Sequence, residues 1–222
     1  MTNNMLDTFL TNIRRKDKQI MPGQMIRNTI AVFLLGIILG VFSKYLDYHQ
    51  AELPYFIMLV DETLDLHNFL GRFPLWIFIA VCISVYSNSP IRAAIHVFVF
   101  FVGMVASYYM YSTFIAGFFP KSYAMIWAGF TIVSPFLAFI CWYAKGTGKI
   151  SLILASMICA VLFNMTFAYG WIYFDIYSIL ELIIFVCGLM VLRRRTRKEN
   201  VIMIVLGLII ALILHNVFPF VL

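Results

Sequence analysis

Long apolar runs, separated by short polar segments, occupy most of this chain of 222 residues. A helix of about 20 apolar residues is as long as the hydrocarbon core of a bilayer is thick. The composition agrees with this length, since 63% of the residues are hydrophobic and 12% are charged, about half the charged fraction of ordinary soluble domains. The sequence therefore predicts an all-α, polytopic membrane protein.

Seven of the runs have the composition of membrane spans, and they follow an N-terminal basic segment at 1–26. The predicted spans are 28–46, 73–86, 92–118, 123–143, 150–169, 171–192 and 201–222. Together they make 27–222 one membrane domain of seven helices. The run at 73–86 is the shortest of them.

The positive charges predict the orientation of this bundle. If the N-terminus is cytoplasmic, only Lys44, Arg72 and Lys121 of the 16 Lys and Arg residues lie on the outer side, and the other 13 lie inside. Such a bias toward the cytoplasm is the usual determinant of topology. We therefore expect an extracytoplasmic C-terminus and a multi-pass protein of a bacterial cytoplasmic membrane.

Two features near the N-terminus have more than one interpretation. Apolar residues share one helical face of the first segment, which predicts an amphipathic helix on the inner membrane surface, although a frayed tail is the alternative. The apolar residues of that face are Leu6, Phe9, Leu10 and Ile13. Gly36 and Gly40 form a G-x-x-x-G pair that favours close helix packing, within the chain or between copies. Lys44 is expected to extend to the interface.

The predicted external loop 47–72 is acidic, and part of it could bind a divalent cation. Its carboxylates are Asp47, Glu52, Asp61, Glu62 and Asp65. The candidate metal ligands are Asp61, Glu62, Asp65 and His67, because hard cations prefer oxygen ligands; a solvated acidic loop is the alternative. The apolar stretch 53–60 is too short to span and is expected to be interfacial or re-entrant.

Glu181 is the most informative polar residue, because the span 171–192 would place its carboxyl near the middle of the bilayer. Carboxyls at that depth normally face a protein interior or a watery cavity. Ser178 could bridge Glu181 to Asp175, and Thr131 and Ser134 are expected at the depth of Glu181. Further polar residues are expected in the outer half of the bundle: Asn164, His215, Asn216, Tyr108 and Tyr109. This distribution predicts an outward-opening polar cavity, while hydrogen bonding between helices is the alternative.

Several other kinds of chemistry are not indicated. The four cysteines lie in apolar runs without a C-x-x-C pair, so neither a disulfide framework nor a zinc site is expected. No P-loop, G-x-S-x-G or H-E-x-x-H motif occurs. The bilayer accounts for the positive charge, so nucleic acid is not an expected partner, and no cofactor is identified.

Four short stretches resemble a group of uncharacterised integral membrane proteins of Gram-positive bacteria. These are 70–73 (LGRF), 87–94 (SNSPIRAA), 103–111 (GMVASYYMY) and 118–123 (FFPKSY). The resemblance covers about 30–170. It implies a bacterial cytoplasmic membrane and no particular activity.

Three hypotheses for function follow. The first is a small-solute transporter or permease-type subunit, acting with a partner membrane subunit or as a homo-oligomer. The second is an accessory or sensor protein that binds a partner in the membrane. The third is an intramembrane enzyme that acts on a lipid or prenyl substrate, with Asp175, His215 and the external carboxylates as candidate acid–base groups.

The topology is testable with reporter fusions. A reporter fused after Leu222 should be extracytoplasmic, because seven spans place the two termini on opposite sides. A reporter inserted between Lys145 and Lys149 should be cytoplasmic. A cytoplasmic signal from the C-terminal fusion would eliminate the seven-span arrangement.

Overall fold

The structure is a computed structural model that describes residues 2–16, 21–50 and 53–217, with side chains from residue 8 onward. Within these residues the chain is almost entirely helical. The helices are α1 (Thr2–Ile13), α2 (Pro22–Tyr48), α3 (Tyr55–Leu64), α4 (Leu66–Gly71), α5 (Phe73–Tyr86), α6 (Pro90–Phe114), α7 (Lys121–Trp142), α8 (Gly148–Thr166), α9 (Ile179–Leu192) and α10 (Arg197–Val217). A 3-10 turn, Tyr143–Lys145, follows α7, and a hairpin of β1 (Phe167–Tyr169) and β2 (Phe174–Ile176) precedes α9.

Among the described residues, five helices are long and apolar enough to cross a membrane, namely α2, α6, α7 with its 3-10 turn, α8 and α10. The all-α, multi-pass membrane class is therefore confirmed at this level. The helices α5 and α9 have 14 residues each, or about 21 Å, which is shorter than a hydrocarbon core. The crossing count of seven and the sides of the termini stay predictions, and the C-terminal residues 218–222 lie outside the described part.

The two ends of the bundle differ in charge. Lys145 and Arg193–Arg195 lie at one end, called here the basic end, beside the last turn of α5. Asp47 lies at the opposite end, called the acidic end, beside Gly71 of α4 and the start of α7. The remaining carboxylates of the α3–α4 region belong to this acidic end.

Helices α2 and α6 form the most extensive pair in the bundle. A Cβ on Gly36 would lie 2.3 Å from the carbonyl oxygen of Phe100, and one on Gly40 would lie 2.4 Å from that of Met104. From the other helix, a Cβ on Gly103 would lie 2.7 Å from the carbonyl oxygen of Phe33. The G-x-x-x-G pair thus packs within the chain, with backbone against backbone.

Two of the apolar clusters in the described residues join α5 to its neighbours. An aromatic cluster joins α5, α6 and α7, with Trp76 and Phe100 buried at its centre. A second cluster of smaller side chains, including Val85 and Leu192, joins α5 to α8, α9 and α10. The short helices α5 and α9 are therefore interior elements of the bundle.

The predicted helical span 171–192 is wrong in its first part. Residues Phe167–Tyr169 and Phe174–Ile176 pair as antiparallel strands, with Ala168 opposite Asp175. Helix α9 begins only at Ile179. Aromatic and β-branched residues favour strands as well as spans, which is why the hairpin has the composition of membrane helix.

The predicted loop 47–72 is mostly helical. Helix α2 continues to Tyr48, and α3 and α4 meet at Asp65, which has a positive φ of 55°. Tyr55 and Phe56 of α3 are exposed, while Leu53 packs into the core beside α4. An interfacial position suits this amphipathic helix, and Glu52 lies outside the described residues.

The N-terminal segment forms the predicted helix, α1, and its end docks on the basic end. Ile13 is buried against Trp142 and Tyr143, and the Thr147 amide donates to the Ile13 carbonyl over 2.8 Å. Phe9 is exposed. Its position on the inner membrane surface stays a prediction, and Lys18 and the Leu6 side chain lie outside what is described.

The glycine contacts predict position-specific losses of stability. Gly36→Ala and Gly103→Ala should each lower the free energy of unfolding by about 1–3 kcal/mol, because the methyl group must displace a backbone carbonyl. Gly129→Ala in α7, where a Cβ meets nothing within 4 Å, is the matched control. Equal melting temperatures for all three variants would contradict the α2–α6 packing.

Candidate functional site

Glu181 lies in the first turn of α9 and is fully buried, with 0% exposure. Its Oε1 accepts a hydrogen bond from Arg72 Nη1 at 2.7 Å, and its Oε2 accepts from the Ser178 hydroxyl. Ser178 is the N-cap residue of α9, so Ser178 and Glu181 have the spacing of a capping box, but the Ser178 hydroxyl bonds the Glu181 carboxylate and not the helix backbone. The interior position predicted for Glu181 is confirmed, but it lies at the start of a short helix and not midway along a 22-residue one.

Arg72 connects three elements at the acidic end. It stands at the junction of α4 and α5, and its Nη2 donates to Asp65 Oδ2 over 3.0 Å while Nη1 binds Glu181. A buried carboxylate without a partner is costly, so this guanidinium sets the charge balance of the site. Its side chain is 33% exposed, which leaves the pair with one solvated partner.

The predicted metal ligands are engaged with each other and with neighbouring side chains. Asp61 accepts from the His67 amide at 2.7 Å and contacts the His67 ring at 2.9 Å, while Asp65 accepts from Asn68. Glu62 is exposed. In residues 2–16, 21–50 and 53–217, no three His, Cys, Asp or Glu side chains form a group that could hold a metal ion. Asp61 and Asp65 instead hold the corner between α3 and α4.

Two of the other predicted site residues, Asn164 and His215, help to connect α8 to α10, together with Tyr169. Asn164 donates to the Ala211 carbonyl at 3.1 Å and accepts from the Tyr169 hydroxyl at 2.7 Å. The Tyr169 ring lies 4.5 Å from that of His215. Asn216 is exposed and donates to its own helix. These contacts match hydrogen bonding between helices, the alternative raised by the sequence.

Thr131, Ser134 and Asp175 do not contact Glu181. Thr131 donates to the carbonyl of Trp127 on its own helix. Ser134 donates at 2.9 Å to the Thr131 carbonyl, the group that Pro135 cannot bind because proline has no N–H. Asp175 is exposed on β2 and accepts from the amide of Ile176, so Ser178 does not bridge it to Glu181.

A polar cavity of about 350 Å³ opens at the acidic end between α2, α6 and α7. Lys44 and Asp47 of α2 line it together with an aromatic wall. Members of that wall are Trp76, Tyr108, Tyr109, Phe118, Tyr123 and Trp127. Of the predicted site residues, the structure brings Tyr108 and Tyr109 together here, and Glu181 is not among the lining residues.

Lys44 is the centre of this cavity, and its predicted extension to the interface is wrong. Its side chain is buried at 2% exposure, and its Nζ pairs with Asp47 Oδ2 at 2.5 Å. The same nitrogen lies 4.5 Å from the ring centroid of Phe118 and 5.3 Å from that of Tyr108. The aromatic faces and one carboxylate replace the water that an extended lysine would keep.

A second cavity, of about 390 Å³, is almost entirely apolar and lies between α5, α6, α7 and α8. Its wall includes Phe101, Ser134 and Leu137. Leu137 and Met157 at its edge are exposed, so it faces the side of the bundle where lipid chains would lie. This cavity could hold apolar groups, but its wall offers almost no polar atoms to bind a polar ligand.

The residues that sequence reasoning missed are Arg72, Lys44 with Asp47, and Thr166. Thr166 donates to the backbone carbonyl of Glu181 at 3.2 Å. Arg72 had a signal in the sequence, since it is the first base after a stretch with five carboxylates. Asp47 had another, because it follows Lys44 at a spacing of three on one helix.

The ion pair predicts an asymmetric effect of mutation. Arg72→Leu should lower the free energy of unfolding by about 3–5 kcal/mol, because it leaves a fully buried carboxylate unpaired. Glu181→Leu should lower the free energy of unfolding by about 1–2 kcal/mol only. Arg72 then still donates to Asp65 and still contacts water.

The double variant Arg72→Leu/Glu181→Leu should be more stable than Arg72→Leu alone, as measured by unfolding in mixed micelles. Lys121→Leu, which removes an exposed charge at the same end, is the control. Additive losses in the double variant would show that the two side chains are not coupled.

Comparison of the chain with known protein families, with curated proteins and with solved structures gives no match.

Proposed function

We propose that the protein is a permease-type subunit of the bacterial cytoplasmic membrane that binds a small zwitterionic solute in the acidic-end cavity. The observation that supports this is the buried Lys44–Asp47 pair within an aromatic wall. In the proposed orientation, with seven crossings and the N-terminus inside, the cavity opens to the outside.

The two charges of the cavity differ in their access to solvent, and this difference suits exchange of a partner. Lys44 is buried, whereas 47% of the Asp47 side chain is exposed. A solute carboxylate can therefore take a place beside the ammonium while the exposed Asp47 carboxylate moves to the cationic group of the same solute.

The solute class follows from charge and volume. One ammonium and one carboxylate complement a ligand that carries one group of each sign, with its cationic group against Asp47 and the rings. About 350 Å³ holds a molecule of amino-acid size.

A permease-type role accounts for the position of the cavity better than the other two hypotheses. The cavity lies between three candidate spans, α2, α6 and α7, where a bound solute is already within the bundle. The G-x-x-x-G pair, which supported partner binding, is used inside the chain. The candidate acid–base groups of an enzyme have other partners. Asp175 binds the Ile176 amide and His215 stacks on Tyr169, while the external carboxylates Asp61 and Asp65 bind His67 and Arg72.

Binding of glycine betaine tests the proposal. The purified protein should bind this zwitterion saturably, and should bind acetate and tetramethylammonium much more weakly, because each of these offers one charge only. Lys44→Gln and Asp47→Asn should each weaken betaine binding by about 10-fold or more, the effect of one charged hydrogen bond. Titration calorimetry measures the affinity, and uptake of labelled betaine by proteoliposomes measures transport.

Lys121→Gln is the matched control, because it removes an exposed ammonium at the same end of the bundle. Its affinity should equal that of the unmodified protein. If acetate binds as tightly as betaine, or if the control variant loses as much affinity as Lys44→Gln, the cavity is not a zwitterion site.

A further inference from the structure

A third cavity, of about 700 Å³, lies at the basic end of the bundle. It is bounded by the last turns of α5 and α9, by the Lys145–Thr147 connection and by the start of α10. Arg14, which follows α1, closes one side of it. The cavity is therefore built from five separate parts of the chain.

Its wall carries an excess of positive charge. Five basic side chains and one carboxylate, that of Glu199, line it. The bases are Arg14, Lys145, Arg193, Arg194 and Arg195. Among the described residues, no carboxylate forms an ion pair with Lys145 or with any of the three consecutive arginines.

Two of the bases are fixed in place by the ends of neighbouring helices. Arg14 donates to the Trp142 carbonyl at 2.7 Å and to the Val85 carbonyl at 3.0 Å. Arg194 is 8% exposed and donates to the Ala144 carbonyl and to the Ser151 hydroxyl, while its Nε has no partner within the described chain. Bonds to helix ends thus use much of the hydrogen-bonding capacity of Arg14 and Arg194. They do not use that of Lys145, Arg193 and Arg195.

The dipoles of two helices add to the positive potential in this cavity. Thr147 and Thr196, the residues that precede α8 and α10, both line the cavity. The amino ends of helices of 19 and 21 residues therefore lie beside it, and such ends attract anions. Lys145 is also within electrostatic range of Arg14 and Arg194, so the cations repel each other when no anion is present.

We propose that this basic cavity binds a phosphate group, held by Arg193, Arg195 and Lys145 over the preformed Arg14 and Arg194. Guanidinium groups match the tetrahedral oxygens of phosphate by paired hydrogen bonds, and the ammonium adds a point charge. A phospholipid headgroup and a free phosphate share this chemistry, and the position at the end of the candidate spans is accessible to both.

Thermal stability and binding of the full chain in neutral detergent test the proposal. The probes are inorganic phosphate and pyrophosphate, each against chloride at the same ionic strength, and phosphatidylglycerol against phosphatidylcholine in mixed micelles. At least one phosphate probe should raise the melting temperature and bind saturably. Stabilisation by the free ions alone identifies a soluble ligand, by phosphatidylglycerol alone a headgroup, and by both a site for the phosphate group itself.

The double variant Arg193→Gln/Arg195→Gln should bind the active probe about 100-fold more weakly, with about 10-fold for each guanidinium. Both residues are exposed, so the fold should be retained. Arg197→Gln/Lys198→Gln removes the same charge from exposed neighbours that do not line the cavity, and its affinity should stay within about 3-fold. Equal losses in both double variants would show diffuse attraction only, and no response to any phosphate probe would overturn the site.

Discussion

The acidic end of the bundle depends on the ion pair between Arg72 and Glu181. Helices α5 and α9 are both too short to cross a hydrocarbon core, and both begin beside this pair. Helices α3 and α4 precede α5, and the hairpin precedes α9, so further structure stands before the start of each short helix. A guanidinium at the start of α5 and a carboxylate at the start of α9 join these two helix ends.

Charge is separated along the bundle into two kinds of site. At the acidic end each buried charge has a neighbour of opposite sign, as in Lys44 with Asp47 and Arg72 with Glu181. At the basic end, like charges are collected around one cavity and are neutralised only in part by carbonyl groups. The first arrangement suits reversible binding of a neutral, dipolar molecule, and the second suits an anion.

The helical membrane class was predictable from the sequence, since run length and composition reflect the bilayer directly. The boundaries of α5 were predicted at the residues where the structure has them, because Arg72 and the turn at Ser87 frame the run. The start of α9 was not, because apolar aromatic strands and apolar helix have the same composition. Ser178 and Glu181 carried a capping signature that marks the helix start, and it was interpreted as a bridge within a longer span.

The candidate site was less predictable than the fold. Depth along a helix can be estimated from sequence, but the face of each helix depends on its neighbours. Thr131 and Glu181 were therefore assigned to one site although α7 and α9 present them to different neighbours. The burial of Lys44 requires the aromatic residues of α6 and of the segment before α7, and no local pattern in α2 indicates them.

The backbone contact between α2 and α6 has a consequence for biogenesis. These partners are separated in the chain by three other helices, so α2 enters the bilayer well before α6 is synthesised. Until then the Lys44 ammonium has neither Tyr108 nor Phe118 to cover it, and its flexible stem must carry the charge to the headgroups. Arrival of α6 then moves this lysine from a lipid-exposed position into the folded interior. Insertion of α2 and burial of Lys44 are thus two events separated in time. In a chain truncated before Pro90, α2 would insert but Lys44 would not be buried.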